Sequence, residues 1–146
     1  MTASDPIFDA LSRAVGARLF PITARDPETG VFRRSWTSNP DAYPVSGTKP
    51  AQEDDWSRQV IDRGETFVAN TTAGFAPYFS DHAQINALGC HSALNIPVRR
   101  ADGTVVGTVN VLDVEGWFTP DRIARIKGLV AARAEALARA MQQAIS

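Results

Sequence analysis

Hydrophobic positions along the chain follow two periods, and their alternation sets the order of elements. Ile7, Phe8, Leu11 and Val15 recur on one helical face after Pro6, which suits a first helical turn, and Gly16 closes the run. This predicts a helix over 6–15. Extended segments at 18–24 and 31–37 flank Asp26-Pro27-Glu28-Thr29-Gly30, a turn-forming cluster, so a β-hairpin should follow. Residues 38–52, with three prolines among small polar residues, read as an irregular surface loop. Trp56, Val60 and Ile61 form the inner face of a short helix over 53–63, followed by a strand at 65–69 and a loop at 70–77. Ser80 is placed to cap a helix over 80–88, with Asp81 near its positive end. Strands at 91–99 and 104–112 pair through Asp102-Gly103, a strong hairpin signal. From Thr119-Pro120 onward Ile123, Ile126, Val130, Ala134, Leu137, Met141 and Ile145 recur every three or four residues, which predicts one long helix. The order α-β-β-α-β-α-β-β-α describes a single α+β domain spanning residues 1–146.

Composition narrows the partners more than it identifies them. The chain is 44% hydrophobic and 21% charged, ordinary for a globular domain. Its net charge of −1 comes from 15 basic and 16 acidic residues with no Lys/Arg run, so nucleic acid is not an expected partner. Arg133, Glu135 and Arg139 interrupt the most apolar stretch, and no membrane span is expected. A lone cysteine forms no internal disulfide, and no basic-then-apolar leader pattern opens the chain; a reducing cytoplasm is the expected compartment. Two histidines and one cysteine show no metal-ligand spacing, so neither a metal nor a cofactor is expected.

The segment Leu94-Asn95-Ile96-Pro97-Val98, then Gly103, then Val106-Gly107-Thr108-Val109-Asn110-Val111-Leu112 carries a hydrophobic-x-x-Pro-hydrophobic strand answered by a hydrophobic-Gly-hydrophobic one. Together with the element order, it resembles the last two strands of the GAF domain, and the resemblance spans roughly residues 6–145. It implies a GAF-like antiparallel sheet of six or nearly six strands. Terminal helices would pack on one face, with loops and short helices over a ligand cavity on the other. Period-two geometry gives that cavity a chemistry. Leu94, Ile96 and Val98 point one way, and His91, Ala93, Asn95 and Pro97 the other. A mixed face under loops suits a small-molecule site, so His91, Asn95, Thr108 and Asn110 are expected to face the cavity. Phe32, Arg34 and Trp36 share a face of the second strand, while Tyr43, Lys49, Phe75 and Tyr78 lie in the covering loops and can supply aromatic walls and a cationic end.

Cys90-His91 is the one pair with nucleophile-and-base chemistry. A thiolate beside an imidazole requires side chains within hydrogen-bond reach, whereas neighbours on a strand point to opposite faces. Three readings stay open: a catalytic pair, a pocket histidine with Cys90 packed behind it, or two core residues. Two relatives implied by the resemblance do not fit. Free methionine sulfoxide reductases use a second, resolving thiol, which is absent here. Bilin-binding domains carry their Cys-His about ten residues upstream, where this chain has Ser80-Asp81.

Ser46-Gly47-Thr48-Lys49 lacks the upstream glycine of a phosphate loop. Lys49 and Arg34 are therefore either solvent-facing or contacts for an anionic ligand, and Trp36 and Trp56 either core residues or stacking platforms. Trp117 should pack where the last helix begins. That helix is long for a small sheet, so Val130, Leu137, Met141 and Ile145 are expected to bury partly in a homodimer through the terminal helices, as the resemblance implies. The expected function is a sensor or carrier for a small polar or anionic metabolite. An enzyme using Cys90 or His91 in the same cavity and a structural dimerisation module are the alternatives.

Overall fold

The computed structural model describes residues 5–145. Helix α1 (Asp5–Val15) buries Phe8, Leu11 and Val15 and ends at Gly16, whose φ of 72° is the left-handed value that a helix-terminating glycine supplies. Arg125 donates to the Ala14 and Val15 carbonyls, both at 3.1 Å, satisfying acceptors left over at that helix end. Strands β1 (Pro21–Arg25) and β2 (Phe32–Thr37) form the expected hairpin. After them come α2 (Asp55–Ser57), running on as a π-helical turn over Arg58–Asp62, then β3 (Phe67–Ala69), α3 (Thr72–Phe75) and α4 (His82–Ala87). The second hairpin is β4 (Ser92–Arg99) with β5 (Val105–Asp113), and α5 (Pro120–Ala131) and α6 (Ala134–Ile145) end the chain.

The five strands make one antiparallel sheet in the order β2-β1-β5-β4-β3. A sixth, rudimentary edge lies along β2. Phe32 and Lys49 exchange backbone hydrogen bonds of 3.0 and 2.7 Å, and the Ser46 amide donates to the Arg34 carbonyl at 3.0 Å. The covering loop is thus tied to the sheet by main-chain bonds, and it occupies donors and acceptors that an open edge would leave unpaired.

The helices α1, α5 and α6 cover one face, where Ile22, Ala24, Leu94, Ile96, Val98, Val109 and Val111 meet Phe8, Leu11, Ile126, Leu137 and Met141 in one buried cluster. Gly107 sits at the closest approach. A Cβ there would collide with the Thr23 carbonyl and lie 2.6 Å from the Met141 sulfur.

Four expectations are corrected. The extra residue Ser35 in a bulge, where Ile22 pairs with Trp36 but Thr23 pairs with Arg34, turns Trp36 onto the helix face; there it packs against Phe8 and Phe20 at ring-centroid distances of 6.3 and 6.4 Å. The long terminal helix is two helices, broken at residues 132–133. That break lets both halves reach the core, so Val130, Leu137 and Met141 are already buried within the chain. Ser80 caps nothing: Asp81 holds the cap position of α4 without a capping bond, because its carboxylate is engaged elsewhere. The predicted loop at 70–77 contains α3, capped by Thr71 through the Gly74 amide. No described helix is long and apolar enough to cross a membrane.

Candidate functional site

The other face of the sheet carries a cavity of about 420 Å³, in the range of small-molecule sites. Its floor is the polar half of the strands. Trp56 Nε1 donates to Asn95 Oδ1 at 2.9 Å, Asn95 Nδ2 donates to Asn110 Oδ1 at 2.8 Å, and Asn110 Nδ2 donates to the Pro21 carbonyl at 3.1 Å and Thr23 Oγ1 at 3.0 Å. The direction of this ladder is forced at both ends, since an indole N–H only donates and a backbone carbonyl only accepts. Asn95 and Asn110 face each other as direct register partners on β4 and β5, 3% and 8% exposed. Burying two amides on strand interiors costs free energy unless they are hydrogen-bonded, and here they satisfy one another.

The ladder does not exhaust the floor's capacity. One Asn95 N–H, a lone pair on each amide oxygen and the Thr23 hydroxyl proton remain open, and Thr108 Oγ1 lines the cavity without a described partner. The walls are aromatic: Trp56 meets Phe79 edge to face at 6.3 Å, and Tyr78 meets Phe67 in the same way at 5.8 Å. At the side wall the Arg34 guanidinium lies 3.5 Å over the Tyr43 ring, donates to the Pro44 carbonyl at 2.8 Å, and pairs with Asp81 Oδ2 at 3.0 Å. Tyr43 OH donates a short hydrogen bond to the same carboxylate oxygen. Burial, reinforced by Asp81, pushes the Tyr43 hydroxyl well above its ordinary pKa, so it remains a donor. This cluster pins the covering loop to the chain just before α4.

Of the residues expected at the site, Arg34, Tyr43, Lys49, Tyr78, Asn95, Thr108 and Asn110 line the cavity, whereas Trp36 and His91 do not. Thr23, Arg25 and Trp56 line it as well. Thr23 and Arg25 could have been found from alternation alone, standing opposite Ile22 and Ala24 on β1. The indole bond of Trp56 to Asn95 crosses 39 positions and leaves no local signal.

No protein-family model and no curated protein matches the sequence. Solved structures do match along nearly its whole length. The GAF domain of a two-component sensor histidine kinase from Bacillus halodurans superposes with a TM-score of 0.73 at 15% identity, covering 98% of this chain and 95% of that one. The GAF domain/HD domain protein from Geobacter sulfurreducens gives 0.73 at 14%, covering 97% and 95%. The chain has the GAF-domain fold. The blue-light absorbing form of the Thermosynechococcus elongatus PixJ GAF domain matches at 0.66 and 12% identity, over 96% of this chain and 85% of that one.

Within this GAF fold Cys90 and His91 lie outside the cavity lining. Cys90 is fully buried among Leu19, Phe75, Ile85 and Leu112. Burial, with help from Asp113 and against Arg18, pushes its thiol up to about 11, the opposite of what an activated nucleophile needs. His91 Nδ1 lies 3.1 Å from Thr72 Oγ1 and 3.3 Å from Asn86 Nδ2. Asn86 Nδ2 donates to Thr72 Oγ1 and to the Cys90 carbonyl, both at 2.9 Å, so each of its two N–H groups has a closer partner than the ring. The imidazole is held by α3 and α4 and makes no hydrogen bond to the thiol. Among the described residues no cluster of three His, Cys, Asp or Glu side chains could hold a metal ion.

Proposed function

We propose that this chain binds a small polar or anionic metabolite in the cavity between the sheet and the covering segments at 38–52 and 70–80, as a sensor or carrier. The observation that carries the reading is the Trp56–Asn95–Asn110–Thr23 ladder. It is a pre-set polar floor whose remaining donors and acceptors open into a cavity of about 420 Å³. Such a floor is costly in a purely structural module, where the same positions could be filled by aliphatic residues. The wall charge adds the anionic preference, with Arg25, Arg34 and Lys49 facing only Asp81. A reducing cytoplasm and pairing through the terminal helices belong to the same reading. Pairing would have half-buried Ile7, Leu129, Ala144 and Ile145 to work with, and a sedimentation measurement that finds only monomer removes it.

A thermal-shift screen of small acids, amides and nitrogen heterocycles tests the binding role. A ligand at a hundred times its Kd adds about 2.7 kcal/mol to the folded state. The expected result is a hit whose shift disappears in Asn110→Leu. Hits that bind Asn110→Leu unchanged would place the ligand elsewhere and overturn the reading.

A further inference from the structure

The sheet sets three side chains in a row across its edge at the rim of the cavity. Arg25 on β1 is the register partner of Phe32 on β2, and Phe32 is the bridge partner of Lys49 in the covering loop. Directly opposed residues of antiparallel strands put their side chains on the same face, and all three line the cavity. The row therefore reads cation, aromatic ring, cation. With neighbouring Cβ atoms about 5 Å apart, the two cationic stems start about 10 Å from each other. Both are long enough to converge on one group lying over Phe32.

Neither end of this row is held in an ion pair, unlike the other cation of the cavity. Arg34 already spends its guanidinium on Asp81, Pro44 and the Tyr43 ring. Arg25 gives one N–H to the Val105 carbonyl at 2.9 Å and forms no ion pair with a described carboxylate. Lys49 is exposed, and its ammonium has no described partner. An incoming anion has no ion-paired carboxylate to displace at Arg25 and Lys49, although the Asp26 charge acts on Arg25, whereas at Arg34 it would have to displace Asp81.

Beyond the row and the Arg34–Asp81 pair the cavity lining carries no charge. Trp56, Tyr78 and Phe79 supply ring surfaces, and the floor offers single N–H, O–H and carbonyl valences. That combination suits a planar body with a hydrogen-bonding edge, which stacks on rings and gains from each pre-set polar atom. Resting on the binding role proposed above, we infer that the ligand is a planar aromatic or heteroaromatic carboxylic acid whose carboxylate sits over Phe32 between Arg25 and Lys49. Its ring edge meets the Asn95–Asn110 floor, and Asp81 keeps Arg34 out of the acid contact.

Calorimetric titration of indole-3-acetate against indole-3-acetamide, and of 4-hydroxyphenylacetate against its amide, tests the assignment. The acids should bind about tenfold more tightly than the amides, as expected for charge-assisted hydrogen bonds. This acid-over-amide ratio, rather than affinity itself, should fall toward one in Arg25→Gln and in Lys49→Gln. It should persist in Arg122→Gln, whose guanidinium is stacked on Trp117 away from the cavity. Using the ratio keeps the test valid if a variant loosens the cavity. Equal binding of acid and amide overturns the inference, as does a ratio that survives both substitutions or collapses only in Arg34→Gln. If none of these four compounds binds while another hit of the metabolite screen does, this inference falls and the binding role stands. If nothing binds, both fall.

Discussion

The two faces of the sheet are made by alternate residues of the same strands and differ in almost every physical respect. On the helix side Ile22, Leu94, Ile96, Val109 and Val111 meet three helices with no room to spare, and at Gly107 not even a methyl group fits. On the loop side their neighbours Thr23, Asn95, Thr108 and Asn110 face a cavity, and Thr23, Asn95 and Asn110 are held by hydrogen bonds rather than close packing. Apolar burial contributes about 25 cal/mol per Å² whatever its shape, whereas a buried amide requires its partners in position. The first face stabilises the domain, and that surplus lets the second keep polar groups pointed into open space. Stability and recognition are thereby separated by one residue of register.

Substitutions on the two faces should therefore sort differently, beginning with the largest effect. Leu137→Ala removes a fully buried side chain from the helix-side cluster and should cost about 2–5 kcal/mol in urea denaturation, with ligand affinity little changed. A cost under about 1 kcal/mol would mean that the helix face is not the packed one. Asn95→Leu comes next. It orphans the Trp56 indole N–H and the Asn110 carbonyl, each worth about 1–3 kcal/mol when buried without a partner, and it should abolish binding. Trp36 and Trp56 give the sharpest paired contrast. Trp36→Phe should lower stability alone, while Trp56→Phe, which deletes the donor that orients the amide ladder, should lower affinity more than stability.

Most of the helix face and the outline of the cavity can be read along the chain, because both follow from alternation and local turn chemistry. Asp102-Gly103 closes the second hairpin with Gly103 at φ 88°, and Asn95, Thr108 and Asn110 fall on the polar side as period two requires. Failures occur where distant partners override local preference. The bulge at Ser35 is a property of the β1–β2 pairing rather than of β2 alone, and it reverses Trp36. Asp81 is drawn from capping by Arg34 and Tyr43, 47 and 38 positions away. Neither Gly nor Pro marks the break at residues 132–133, so the heptad-like stripe reads through it. His91 follows the strand pattern on paper, but it precedes β4 and is taken up by α3 and α4 instead.

The buried thiol gives a smaller, pH-dependent contrast within the loop-side core. Cys90 is shifted from 9.0 to about 11 by burial, so below pH 9 both folded and unfolded chains carry the proton and the full contribution is present. Between 9 and about 11 the unfolded chain releases that proton while the fold retains it, and stability falls as pH rises. Cys90→Ala should flatten that alkaline slope, as read by urea midpoints across the interval. An unchanged slope would assign it to other groups. In the native protein a disulfide reagent near neutral pH should react only as fast as the chain opens.

Thr108→Val should give the smallest change in stability and still separates the faces. Its hydroxyl lines the cavity on a residue only 3% exposed and has no described partner. Removing a polar group that is not hydrogen-bonded leaves nothing orphaned, and the methyl that replaces it has nearly the same shape. The change in unfolding free energy should thus stay within about 0.5 kcal/mol, with stabilisation as the favoured sign. Affinity for the cavity's ligand should drop at the same time, because the floor loses one of its open donors. A loss of several kcal/mol instead would show that the hydroxyl is bonded inside the fold, and the loop face would then be a second core with polar side chains. A gain in stability alongside a loss in binding is the signature of a residue kept for what it contacts rather than for what it supports.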